Sequence, residues 1–126
     1  MHLAIDLWDK RCWIAIEQAG IAFPKETVLR PKLIQTLKKY IENYNIHTIV
    51  VGLPFDLYGK NKQQLEKTQR FMEKLSQDFP NIKIEWCDER FTSFEAEQIW
   101  LQLWETEKRD DLAAALILET YLEQKK

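Results

Sequence analysis

Residues Thr48-Ile49-Val50-Val51-Gly52-Leu53 form an unbroken run, rich in β-branched side chains and without a charge. Successive strand residues face opposite sides, so such a run leaves no face for water. It has to be covered twice, which is the condition of a parallel strand in an α/β sheet with helices above and below. The flanking segments supply helices. Residues 31–44 carry Leu33, Leu37 and Ile41, with Ile34 and Tyr44 beside them, at a period of roughly 3.6, and Pro31 suits the first helical position. Residues 61–79 repeat the pattern with Leu65, Phe71, Met72, Leu75 and Phe79, and Pro80-Asn81 ends it.

Before the first helix the pattern is that of strands. Residues 2–6 and 11–16 read as two strands joined by a turn at Asp9-Lys10, an antiparallel hairpin. Ala19-Gly20 marks a second turn. Residues 21–29 give a third strand, irregular or at an edge, because Pro24 cannot donate to a ladder. After the second helix, Ile82, Ile84 and Trp86 alternate with Lys83 and Glu85, again a strand. Thr92 and Glu95 form a capping box for a helix with Ala96, Ile99, Trp100 and Leu103 inward. A polar connection, Glu105 to Arg109, leads to a last helix at 110–124 carrying Leu112, Ala113, Leu116, Ile117 and Leu122. The order β-β-β-α-β-α-β-α-α predicts one domain over residues 1–126, a three-layer α/β fold with a mixed five-stranded sheet and helices on both faces.

The chain has no stretch near the ~18 apolar residues of a membrane span. Asp6, Asp9, Lys10 and Arg11 break any leader-like apolar run. Cys12 and Cys87 sit in apolar strands and read as buried thiols of a cytoplasmic protein. His2 and His47 lack the companions of a zinc site. A net charge of −2 argues against a nucleic-acid partner, unless acidic ligands and their bound cations account for it.

Three groups of carboxylates stand at element ends. Strand one ends at Asp6, which either caps the turn Asp6-Leu7-Trp8-Asp9 or serves as a metal ligand. The strand at 82–87 runs into Asp88-Glu89-Arg90, a turn paired with Arg90 or a second ligand source. The last helix opens with Asp110-Asp111, which the helix dipole favours in any case. In a doubly wound sheet, sites form at the carboxyl ends of the parallel strands. With strand one between the two parallel strands, Asp6 and the Asp88-Glu89 pair would meet at one sheet edge. A helix entering from the same end would bring the third group. Carboxylates so gathered repel unless cations sit among them, and hard oxygen ligands suit Mg²⁺ or Mn²⁺.

Four blocks in this order resemble the YqgF-type proteins, described as Holliday junction resolvases or pre-16S rRNA nucleases. Asp6 to Ala15 resembles the family's D-x-G-x-K-R-x-G-x-A. Val51-Gly52-Leu53-Pro54, with Tyr58-Gly59 after it, resembles its second block. Asp88-Glu89-Arg90-Phe91-Thr92-Ser93-Phe94-Glu95-Ala96 resembles the third, and Asp110-Asp111-Leu112-Ala113-Ala114-Ala115-Leu116-Ile117-Leu118 the fourth. The similarity runs nearly end to end and implies a ribonuclease-H-like fold. The alanine register makes Asp110, rather than Asp111, the match to the third acidic position. Glu89 is favoured over Asp88 by likeness to related resolvases, with Asp88 the alternative. Two family glycines are replaced, by Trp8 and Trp13, and the usual glycine-rich basic loop is reduced to Glu105-Thr106-Glu107-Lys108-Arg109. An indole beside Asp6 either crowds the cleft, offers a stacking surface for an unpaired base, or serves packing.

The resemblance implies a nuclease in which Asp6, Glu89 and Asp110 hold two Mg²⁺ or Mn²⁺ ions and an in-line attack leaves a 3′-hydroxyl and a 5′-phosphate. Lys10, Arg11 and Arg90 are the candidate phosphate contacts, each also readable as a solvated surface cation. The implied substrate is RNA, the precursor of the small-subunit rRNA, with branched DNA second. The alternative is a catalytically impaired RNA-binding or ribosome-assembly module; a third reading is a protein-interaction domain without a nucleic-acid role. Trp100 and Trp104, four apart, offer a homodimer surface or, more simply, core.

Overall fold

The computed structural model describes residues 1–53, 62–88 and 109–125. Its elements are β1 (His2–Leu7), β2 (Arg11–Gln18), β3 (Ile21–Leu29), a 3₁₀ turn (Arg30–Lys32), α1 (Leu33–Asn43), β4 (Thr48–Leu53), α2 (Lys62–Asp78), β5 (Lys83–Asp88) and α3 (Arg109–Gln124). The expected helix after Thr92, with its capping pair and with Trp100 and Trp104, lies outside the described residues. So do Pro54, Tyr58, Gly59 and the connection at 105–108.

The run that demands two covers is β4, and all six of its residues are buried. Ile49 and Val51 join the cluster beneath α1 and α2, with Leu3, Ile5, Ile14, Ile16, Leu37 and Leu75. Val50 joins the opposite cluster, formed with Ala4, Ala15, Cys87 and the helix residues Ala114, Ala115, Ile117 and Leu118. Helices therefore cover both faces. Small residues on the second face, Ala4 and Ala15, meet alanines of α3, so this helix lies close on the sheet. Residues 114–118 of α3 are all buried in succession, where the periodic pattern had marked only Leu116 and Ile117 of them.

The sheet order is β3-β2-β1-β4-β5. β2 pairs antiparallel with both β1 and β3. β4 pairs parallel with both β1 and β5. This corrects the placement of strand one between the two parallel strands. The tight hairpin gives one edge of β1 to β2, so only one edge remains for a parallel neighbour. β4 takes it, and β5 adds outside.

Pro24 lies on the edge strand β3, as its missing N–H requires. The ladder slips beside it: Glu26 pairs with Ile14 but Pro24 with Ala15, so Lys25 is an extra residue in a bulge. The β2–β3 hairpin turns on Ala19 (φ 53°) and Gly20 (φ 81°). Two left-handed residues in a two-residue loop match the strand twist, and the Gly20 N–H donates to Glu17 Oε2 at 3.1 Å.

Two apolar assignments shift. In α2, Leu65 is only half-buried, whereas Thr68 is fully buried. The Thr68 hydroxyl donates to the Gln64 carbonyl at 2.9 Å, which satisfies it inside the core. In β5, Trp86 is 50% exposed and Cys87 is buried instead. Cys12 and Cys87 are both buried, on opposite faces of the sheet. Among the described residues no helix is long and apolar enough to cross a membrane.

Candidate active site

Asp6 occupies the penultimate position of β1 and is 5% exposed. It follows Ala4 on the face that α3 covers. Across the hairpin it pairs with Trp13, which is half-buried against the α3-side cluster. Two residues further on, Trp8 is 53% exposed and folds its indole back, so that Nε1–H donates to Asp6 Oδ2 at 2.9 Å. Asp6 is therefore set between two indoles, and one of them is bonded to it.

The turn after β1 is held by a bond within itself and by Arg30, the residue that follows β3. The Trp8 N–H donates to the Arg11 carbonyl at 3.2 Å, the Arg30 N–H donates to the Lys10 carbonyl at 2.9 Å, and Arg30 Nη1 donates to the Trp8 carbonyl at 3.1 Å. A shallow cavity of about 490 Å³ opens on this turn, lined by Trp8, Asp9, Lys10, Arg11 and Trp13. Lys10 and Arg11 are exposed. The surface next to the buried carboxylate thus combines two aromatic walls with two cations.

The other acidic positions can be placed by backbone. Pairing of Ile5 with Val51, and of Leu53 with Asp88, carries the register across the sheet. Asp88 ends β5 at nearly the level of Asp6, two strands away, or about 10 Å at the usual strand spacing. Cys87, on the α3 face, has the strand parity of Asp6. At the other end of β1, the rings of His2 and Tyr121 lie 5.7 Å apart, so α3 runs opposite to β1. From Tyr121 back to Asp110 the helix rises about 16 Å, while β1 advances about 13 Å from His2 to Asp6. The first turn of α3, containing Asp110 and Asp111, therefore reaches the level of Asp6. The side chains of Asp88, Asp110 and Asp111, and Glu89 and Arg90 entirely, lie outside the described residues. Among the described residues, no three His, Cys, Asp or Glu side chains gather into a metal-binding group.

A sequence model of the RuvX family, described as Holliday junction resolvase, matches residues 1–124. The chain belongs to the RuvX family. A protein of Fusobacterium nucleatum called "Putative pre-16S rRNA nuclease" is 35% identical, with 99% of this chain and 98% of the relative aligned. A protein of the same name from Sulfurihydrogenibium is 38% identical over 97% of this chain and 89% of the relative. The mixed five-stranded sheet with helices on both faces is the ribonuclease-H-like architecture of the RuvX family.

The Trp8–Asp6 hydrogen bond was not anticipated from the sequence of this RuvX member. The signal was present, an indole two positions after the carboxylate. Its direction depends on the turn geometry that Arg30 imposes from a distant segment.

Proposed function

We propose that this protein is a metal-dependent nuclease acting in the cytoplasm on RNA, in processing the 5′ end of the small-subunit rRNA precursor, with branched DNA as the second substrate class. The observation that carries the reading is a buried aspartate at the carboxyl end of a central strand, bonded to Trp8 of an adjoining aromatic and cationic cavity. The name that these relatives share points the same way.

In this reading Asp6, Glu89 and Asp110 hold the cations, with Asp88 and Asp111 as the neighbouring alternatives. Asp6 offers hard anionic oxygens, the donor type that Mg²⁺ and Mn²⁺ prefer. Glu89 is favoured over Asp88 by likeness to related resolvases. A pair of such cations supplies the charge that activates water and stabilises the leaving oxygen of a phosphodiester. The chain's own residues do the rest. Trp8 fixes the rotamer of Asp6 through its N–H, Lys10, Arg11 and Arg90 hold phosphates, and the exposed face of Trp8 takes an unpaired base.

One observation favours a second reading. An indole N–H on the carboxylate competes with a cation for the same oxygen, as it would in a binding module that has lost turnover. Incubation with single-stranded and structured RNA plus Mn²⁺, beside Asp6→Asn, separates the two. Cleavage by the parent and not by the variant supports the nuclease; binding by both without cleavage supports the module.

A further inference from the structure

A second cavity, of about 550 Å³, lies on the α1–α2 side of the sheet, between the 3₁₀ turn and α2. Among the described residues its lining includes Arg30, Lys67, Arg70 and Lys74, against a single carboxylate, Asp9. Lys67, Arg70 and Lys74 follow one another at three and four residues, so they share one face of α2 over about 10 Å. Like charges so placed repel and weaken an isolated helix. Lys67 reaches Asp9 at only 3.7 Å, with both groups more than half exposed. Arg70 and Lys74 are exposed and make no ion pair among the described residues. Arg30 stacks on Phe71, its Cζ 4.8 Å from the ring centre, so this guanidinium is held on an apolar floor. A chain of net charge −2 has therefore concentrated cations in one concave strip.

The strip is continuous with the turn beside Asp6. Arg30 is bonded to the carbonyls of both Trp8 and Lys10, and Lys67 faces Asp9. Cations then run from Lys10 and Arg11 through Arg30 to Lys67, Arg70 and Lys74. A row of point charges with a stacking arginine matches a chain of phosphates better than any single small anion.

We propose that the groove between the 3₁₀ turn and α2 is an exosite for the phosphodiester backbone, holding the strand that leads away from Asp6. The proposal deepens the nuclease reading and rests on its nucleic-acid substrate, but it is tested by binding, which needs no cleavage. The triple variant Lys67→Gln/Arg70→Gln/Lys74→Gln is compared with the parent and with a charge-matched control, Lys38→Gln/Lys39→Gln/Lys125→Gln. Anisotropy titrations use a labelled unpaired 20-nucleotide RNA, and the DNA of the same sequence, across a salt series in EDTA. The groove variant is expected to bind both at least ~10-fold more weakly at low salt, and the slope of log K against log salt falls by about 2, for three lost contacts to a single strand. The control stays near the parent. Equal losses in groove and control variants, an unchanged slope, or a loss confined to RNA or to DNA would each overturn the exosite. If the parent binds through the groove but never cleaves with Mn²⁺, the nuclease reading fails while the exosite stands.

Discussion

The two ends of β1 are built from similar materials and put to opposite uses. At the amino end the polar groups close on one another. His2 Nδ1 lies 2.8 Å from Glu17 Oε1, His47 Nδ1 lies 2.7 Å from the Thr48 hydroxyl, and the terminal ammonium donates to the Asn45 carbonyl at 2.8 Å. The two imidazoles meet edge to face at 4.7 Å, with Tyr121 beside His2. At the carboxyl end, Asp6 is buried, yet its surroundings open outward through Trp8, Lys10 and Arg11. A polar cluster saturated from within holds strands in register. A buried carboxylate at the edge of an open, cationic cavity is arranged for something that comes from outside.

Removing one carboxylate at each end tests that contrast most sharply. Asp6→Asn keeps the shape and the acceptor for Trp8, so thermal stability should stay within about 1 kcal/mol of the parent, while cleavage falls at least ~10²-fold. A fold that collapses instead would place Asp6 with the structural end. Trp8→Phe comes next. It retains the aromatic face but leaves Asp6 without the indole N–H. Loss of a hydrogen bond that orients a ligand typically costs about 10-fold or more in metal affinity or activity, readable by Mn²⁺ calorimetry. Tighter Mn²⁺ binding by Trp8→Phe would show that the indole competes with the cation rather than orienting its ligand.

Glu17→Gln at the amino end should leave cleavage unchanged and destabilise the fold by about 1 kcal/mol at neutral pH. Burial by itself would raise the Glu17 carboxyl, but hydrogen bonds from the His2 ring and from the Gly20 and His2 N–H groups carry it below its ordinary 4.5. A lowered folded value means stability that is present above 4.5 and lost as pH falls through the folded value. The gap between parent and variant in urea midpoints should therefore close in acid below 4.5. His47 has the same sign: burial first, then the terminal ammonium and His2, hold it below 6.5, so its protonation opposes the fold. The smallest effect belongs to the hairpin tip. Ala19→Gly relieves a left-handed alanine and should raise stability by a few tenths to about 1 kcal/mol. A loss on this substitution would mean that the glycine's added freedom in the unfolded chain outweighs the strain.

Much of this was legible in the chain itself. The run at 48–53 required two covers, and Pro24 required an edge; both are local statements about where side chains and N–H groups can go. Element periods placed Leu33, Leu37, Phe71 and Leu75 correctly, because burial follows a repeat that the backbone fixes. The four blocks were enough to give the family. Strand order was not legible, since it depends on which edge of β1 the hairpin leaves open. Nor was the burial of Thr68, which needs a carbonyl of its own helix to become tolerable. The α/β class, the carboxylate at the end of the first strand and the cation spacing along residues 67–74 are written in the chain, because each is a property of neighbours along it. That Trp8 bonds to Asp6, and that Arg30 joins that turn to the cations of α2, is settled by folding. The Trp8–Asp6 bond spans only two residues but takes its direction from the folded turn, and Arg30 reaches that turn across 22 residues; no local pattern encodes which distant side chain will arrive.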